Sequence, residues 1–514
     1  MMSMSSNRRQ FLVTAASAAA LAGSAQLGFL GKLPRVSAEE AKADPKVVKL
    51  SDDIAPLVRL IEETPRGKLL EEVASRIRKG TSYREIVAAL LLAGVKNVQP
   101  RPSVGFKFHA VLVVNSAHLA SISSPDEHRW LPIFWALDYF KSSQDADVRE
   151  GNWTMSPVDE SRVPPPHKAK QAFIEAMDRW DEPAADAAVA ALARTAGANE
   201  LFDTFAHYGC RDFRSIGHKA IFVANSWRTL NTVGWQYAEP VLRSLAFALL
   251  AREGASNPAE SDLDADRPGR KNAALAKKFR TDWQTGKVDS HATHDLLATI
   301  YSGDSDQLCN QIVETINQGV SPQSVWDALF VGSGELLMRQ PGIVGIHTLT
   351  STNALRYAFD ACGDDNTRKL LLLQNAAFLP LFRAGMVSRG KGKIGEEKIE
   401  SVQPAEIPSD RQAALDSIFD YGPSGGSRAK AAQQTLAYAR ANPEPHDFIN
   451  RARTLTFLKG RDTHDYKFSS AVLEDYLNVS PPWRDKFLAT SVFNLKGSRE
   501  DDSSLVARTR QALT

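Results

Sequence analysis

Three histidines in this chain recur in one setting. His109, His218 and His347 stand six, seven and six positions before Asn115, Asn225 and Asn353. A basic or imidazole side chain follows each asparagine by three: His118, Arg228 and Arg356. Imidazole is the commonest transition-metal ligand and the usual acid/base group near neutral pH. Three histidines from separate segments could bind one metal ion and leave a position open. They could instead do acid/base work, with the asparagines and arginines holding an anionic substrate. Glu85, Asp203 and Asp327 precede the histidines and could ligate, or orient an imidazole through its second nitrogen. The plainer reading of any one histidine is local: its ring bonds a neighbouring carbonyl and anchors a helix start. No HExxH or comparable short-range metal spacing accompanies the three.

The elements that must carry these residues are helices. On an α-helix, positions i and i+7 share a face and i+3 is a neighbour, so His218, Asn225 and Arg228 form one stripe. The surrounding residues are apolar, as in 111–114 and 221–223. Buried helices are therefore expected, and polar groups buried on them need partners. Each expected histidine helix lies between two others. In the first set they span 86–94, from 106, and 130–141, and Ser82 and Glu85 have the spacing of a capping box. The second set is 201–208, 218–230 and 238–251, with Pro240 in a first turn. In the third, a helix follows Ser321-Pro322, the histidine helix spans 347–361, and one over 368–379 is expected to stop at Pro380. A fourth set has two registers. His464 precedes an apolar stretch and Pro481-Pro482, but lacks the asparagine and the basic residue; His446, Asn450 and Arg453 compete. His464 is a second-rank candidate, with His207, Asp203 and Asp327.

Strand signals are nearly absent, so the expected class is all-α: a multi-helix body of three or four divergent repeat units. Their expected bounds are 39–163, 164–252, 283–389 and 412–514, with a charged linker at 253–282 and a polar one at 390–411. The 514 residues, 43% hydrophobic and 24% charged, suit a globular body. Removing Arg8, Arg9, Lys32 and Arg35 with the first 38 residues takes the formal charge from +2 to −2. No basic field for nucleic acid remains. Cys210, Cys309 and Cys362 are too few and too far apart for a disulfide framework, and buried thiols are expected. Two further segments have structural readings. Ser290 to Asp295, with His291 and His294, reads as a helix cap, and Gly422 to Ser427 as a turn before a helix.

Arg8-Arg9-Gln10-Phe11-Leu12, followed by an Ala-, Gly- and Leu-rich run, resembles a twin-arginine export signal, with Val36-Ser37-Ala38 as its cleavage site. That resemblance implies a leader over 1–38, the twin-arginine machinery as a partner, and a periplasmic or other extracytoplasmic destination. It also implies passage in the folded state, which many cofactor-holding proteins share. No stable membrane span is expected after cleavage. The segments Phe108-His109, Gly217-His218-Lys219-Ala220-Ile221 and Gly345-Ile346-His347-Thr348-Leu349-Thr350 resemble those of the questin oxidase-like proteins. These are helical proteins with histidines opening internal helices, linked to oxygenation of aromatic polyketides. The resemblance covers about an eighth of the chain. It implies that His109, His218 and His347 face one cavity. The export signal and the charged linkers depart from it.

Two functions follow. One is an exported oxidoreductase with a histidine-lined cleft, a transition metal as candidate cofactor and a small-molecule substrate. The other is a non-catalytic helical scaffold binding a protein or small-molecule partner. A shared site requires the imidazoles within roughly 10 Å of one another; a scaffold would string them out.

Overall fold

The computed structural model describes residues 54–514. The expected leader and its cleavage site lie outside the described residues. Every regular element among the described residues is a helix, with two isolated bridges, Lys287 to Val320 and Gly422 to Gly425. The all-α class holds. Asp53–Thr514 forms one unit.

Four helices form its centre. They are α1 (His109–Leu112, continuing as Val114–Ile122), α2 (His218–Val233), α3 (Ile343–Ala361) and α4 (Thr463–Asn478). Each packs on the next, and α4 packs back on α1, which closes a ring. Each also packs on the helix before it and the helix after it in the chain. The four are buried on nearly all sides, as α2 shows from His218 to Trp227. A helix buried all round must be apolar all round or pair its polar groups internally. These four do both.

Local chemistry sets the helix starts. Ser82 and Glu85 form the expected capping box of Tyr83–Asn97. Ser321 caps Pro322–Arg339, with Pro322 in the first turn, where its missing N–H costs nothing. Asp462 caps α4 in a box with Asp465. Asp289 caps Ser290–Ser302, and Ser427 caps Arg428–Ala441.

Several expectations need correction. Pro380 does not stop its helix: Asp365–Arg389 runs through it. Most of that helix is buried, and tertiary packing outweighs the one hydrogen bond that proline removes. It is also the one helix among the described residues long and apolar enough to cross a bilayer, with 72% of its apolar window buried inside the fold. Helix α3 begins at Ile343, so His347 sits a turn inside it. Within 253–282, expected as a linker, the chain forms the helix Arg267–Leu275, and Asp266 is buried. All three cysteines are buried free thiols, as expected.

Candidate metal centre

His109, His218, His347 and His464 come together at one end of the inner ring. One donor atom from each lies within 4.8 Å of all the others. Neighbouring rings follow one another around a closed circuit, with centroids 4.9, 4.4, 5.2 and 4.7 Å apart in the order 109, 218, 347, 464 and back to 109. The His218 Nε2 lies 3.2 Å from His109 Nε2 and 2.9 Å from His347 Nε2.

The other ring nitrogens fix the tautomers. His109 Nδ1 is 2.7 Å from the Phe106 carbonyl, His218 Nδ1 2.7 Å from the Ser215 carbonyl, and His347 Nδ1 2.6 Å from the Ile343 carbonyl. His464 Nδ1 bonds the Asp462 carboxylate. A carbonyl or carboxylate oxygen only accepts, so each Nδ1 carries the proton. With that proton placed outward, a neutral ring turns a bare Nε2 lone pair to the centre. Lone pairs at 2.9–3.2 Å repel unless a cation sits among them. Two imidazole nitrogens bound to one ion at about 2.05 Å lie about 2.9–3.4 Å apart for bond angles between square and tetrahedral. The two observed separations fall in that interval. The local anchoring of each ring and the shared site are thus one arrangement.

Electrostatics keeps three of the rings neutral. Burial, followed by the nearby positive charge of Lys467, holds His109 and His218 well below the usual imidazole range, and His347 likewise. The hydrogen bond from His464 holds the Asp462 carboxyl below the usual carboxylate range, against the opposing effect of burial. A carboxylate behind a ligating imidazole orients it and raises its basicity.

The backbone presenting His218 is strained. Ser215, Ile216 and Gly217 have φ of 57°, 44° and 82° in succession. A β-branched residue such as Ile216 rarely adopts such a value. Surrounding ion pairs hold it there. Arg214 makes a buried bidentate bond to Asp266 at 2.9 and 2.6 Å, and Lys219 bonds buried Asp212 at 2.9 and 3.0 Å. Gly105 lies against the His218 ring: a Cβ there would come within 2.7 Å of Cε1. Glycine is required at 105 by this approach.

Two turns into the ring the asparagines form a polar layer. Asn225 donates to the Leu112 carbonyl at 2.8 Å, and Asn115 lies 3.5 Å from Asn225 Oδ1. Asn353 donates to Glu474 and Asp475 at 2.7 and 2.9 Å, while Arg228 pairs with Glu474 at 2.9 Å. His118, by contrast, bonds Tyr83 at 3.0 Å, and burial lowers its pKa to about 4. Arg356 turns to Asp360 at 2.7 Å. Of the second-rank candidates, His464 joins the centre. Asp327 instead accepts from Gln323 and from the Ser480 backbone, both at 2.9 Å. Asp203 accepts from the Gly363 backbone at 2.8 Å, Glu85 serves its capping box, and His207 lines a separate pocket with Cys210 and Arg211.

Asp462, Gly105 and Lys467 belong to the centre and were not singled out from the sequence. One signal could have found the fourth corner. Counting from the histidine, His118, Arg228 and Arg356 stand nine, ten and nine positions on, and Glu474 stands ten after His464. Position, not residue type, is what the four helices share.

Comparison of the chain with protein-family models, with curated proteins and with solved structures finds no match.

Proposed function

We propose that this protein is an exported oxidoreductase whose reactive centre is a transition-metal ion held by Nε2 of His109, His218, His347 and His464. The observation that carries the metal is the convergence of four imidazoles, each with its proton committed to an outer partner. The His464 Nε2 is buried and has no hydrogen-bond partner of its own. Four imidazole ligands suit copper, iron, nickel or zinc. Structural zinc sites are typically built on cysteine, and none of the three cysteines is in this group. A redox ion is therefore favoured over a structural one. The twin-arginine-like leader and the resemblance of the histidine segments to questin oxidase-like proteins support the same reading. The scaffold alternative has no observation in its favour, since the histidines converge and do not string out along the body.

The test is the metal content of residues 39–514, exported and folded natively, beside H218A. Near-stoichiometric copper or iron that falls with the substitution supports the proposal. Zinc alone, with no redox couple, removes the oxidoreductase reading. No metal in either protein removes the centre itself.

A further inference from the structure

At the His464 corner the centre meets solvent. The His464 side chain is 16% exposed, while His109, His218 and His347 are buried. Those three rings donate to main-chain carbonyls, which the fold holds in place. His464 Nδ1 donates instead to the Asp462 carboxylate, a side chain that is itself 62% exposed. The Asp462 Oδ1 that takes this bond also accepts the His464 main-chain N–H at 2.8 Å, so the ring shares its anchor with the start of α4. Nor is the ring held closely from inside. His218 Nε2 lies 3.2 and 2.9 Å from its two neighbours, whereas His464 Nε2 has no hydrogen-bond partner among the described residues. The widest ring spacing, 5.2 Å, is the one from His347 to His464. Phe106 and Ile343, whose carbonyls anchor the two rings next to His464, are 70% and 37% exposed.

We propose that His464 is an exchangeable ligand and that the external reactant of the centre enters at this corner, taking the position that His464 Nε2 gives up. This rests on the metal reading above and names the entry and the reactant class of that site. In the step, the bond from the ion to His464 Nε2 breaks and a bond from the ion to a lone pair of the reactant forms. The ring turns toward solvent with its Nδ1 proton kept, so no proton or electron changes hands. The three buried imidazoles retain the ion, as in an open three-histidine site. The space vacated is that of one imidazole ring, which limits the ligating head to about that size. The exposed Asp462 carboxylate disfavours an anion, and the apolar Phe106 and Ile343 offer it no counter-charge. The reactant class is therefore a neutral small molecule with a lone-pair donor.

The test uses the mature chain loaded with cobalt(II). Its visible spectrum reports ligand binding, and each ligating histidine gives its own set of hyperfine-shifted ring-proton signals. The probe is deuterated 1-methylimidazole, which is neutral, matches the vacated ring in size and adds no signal. Wild type should show four sets and lose one on saturation with the probe. The set lost should be the one missing from H464A. H464A should bind the probe at least about tenfold more tightly, because no ligand has to leave. Four sets retained with the probe bound overturn the inference and leave the metal centre standing, since the probe then adds at a free position. Loss of a different set overturns it too, as does a probe that binds H464A and not wild type. A wild-type protein that takes up no cobalt fails at the metal reading and takes the inference with it. Should H464A not fold, D462N decides. Weakening the anchor of the ring should strengthen probe binding several-fold, and an unchanged affinity overturns the inference.

Discussion

Three corners of the histidine ring are built alike, and the fourth is not. His109, His218 and His347 are buried, and each hands its Nδ1 proton to a main-chain carbonyl. His464 hands its proton to a carboxylate, and its side chain keeps 16% of its exposure. One turn in, the contrast continues: Leu112, Ile221 and Thr350 at three corners, Lys467 at the fourth. Further in, Glu474 takes the place that His118, Arg228 and Arg356 hold on the other helices. Backbone carbonyls place a ring and add no net charge. Asp462 places a ring and brings a negative charge to the solvent side of the centre. The comparison assigns rigid support to three helices. It assigns charge balance and access to α4.

The largest expected effect comes from the corner with two close neighbours. H218A should weaken metal binding by at least about a hundredfold, roughly 2.8 kcal/mol. H464A should cost about tenfold, because three buried imidazoles still form an open three-histidine site. Metal titration by competition with a chelator measures both. Equal losses would erase the distinction between the corners.

Gly105→Ala tests the rigid side without touching a ligand. Its methyl group would displace the His218 ring, so metal affinity should fall by roughly tenfold or more while the helical circular dichroism is kept. Unchanged affinity would mean that the strained turn at 215–217 can move to accommodate it. D462N tests the adjustable side. Removing the charge behind His464 should cost at most about tenfold in metal affinity, no more than loss of His464 itself, while leaving the other three rings in place. A loss as large as that of H218A would make the fourth corner the dominant one.

The smallest effect lies deeper in α4. Asp475 is buried with one carboxyl oxygen unpartnered. Burial, then the charge of Glu474, pushes its pKa up to about 8. In the unfolded chain an aspartate titrates near 3.9, so between about pH 4 and about pH 8 folding takes up a proton and stability falls as pH rises. D475N should remove that dependence. Its gain over wild type should grow across the window to about 1–3 kcal/mol at the alkaline end, with metal content unchanged. Denaturant midpoints at the two ends of the window measure it. A parallel pH profile in the two proteins would show that Asp475 is ionised in the fold.

Much of this architecture could be read along the chain. The apolar stretches around 111–114 and 221–223 specified buried helices, and Ser82 with Glu85 specified a capping box that forms. The common spacing from histidine to asparagine singled out three of the four ligands, because helical periodicity converts a spacing into a face. The fourth corner was hidden by its residue types: Ser470 and Glu474 stand where asparagine and a basic residue were sought. Pro380 misled for a related reason, since local propensity cannot weigh the packing of a helix with Leu370 to Phe378 buried.

The sequence by itself determined which residues are helical, which faces are apolar and which positions on them are polar. These are properties of neighbouring residues and of 3.6-residue periodicity. The tertiary structure alone decided that four helices close into a ring. It alone put His109, His218, His347 and His464, separated by more than a hundred positions each, within contact of one another. It also turned each Nδ1 outward to a carbonyl or carboxylate. That choice depends on where backbone oxygens lie in space, which no local pattern encodes.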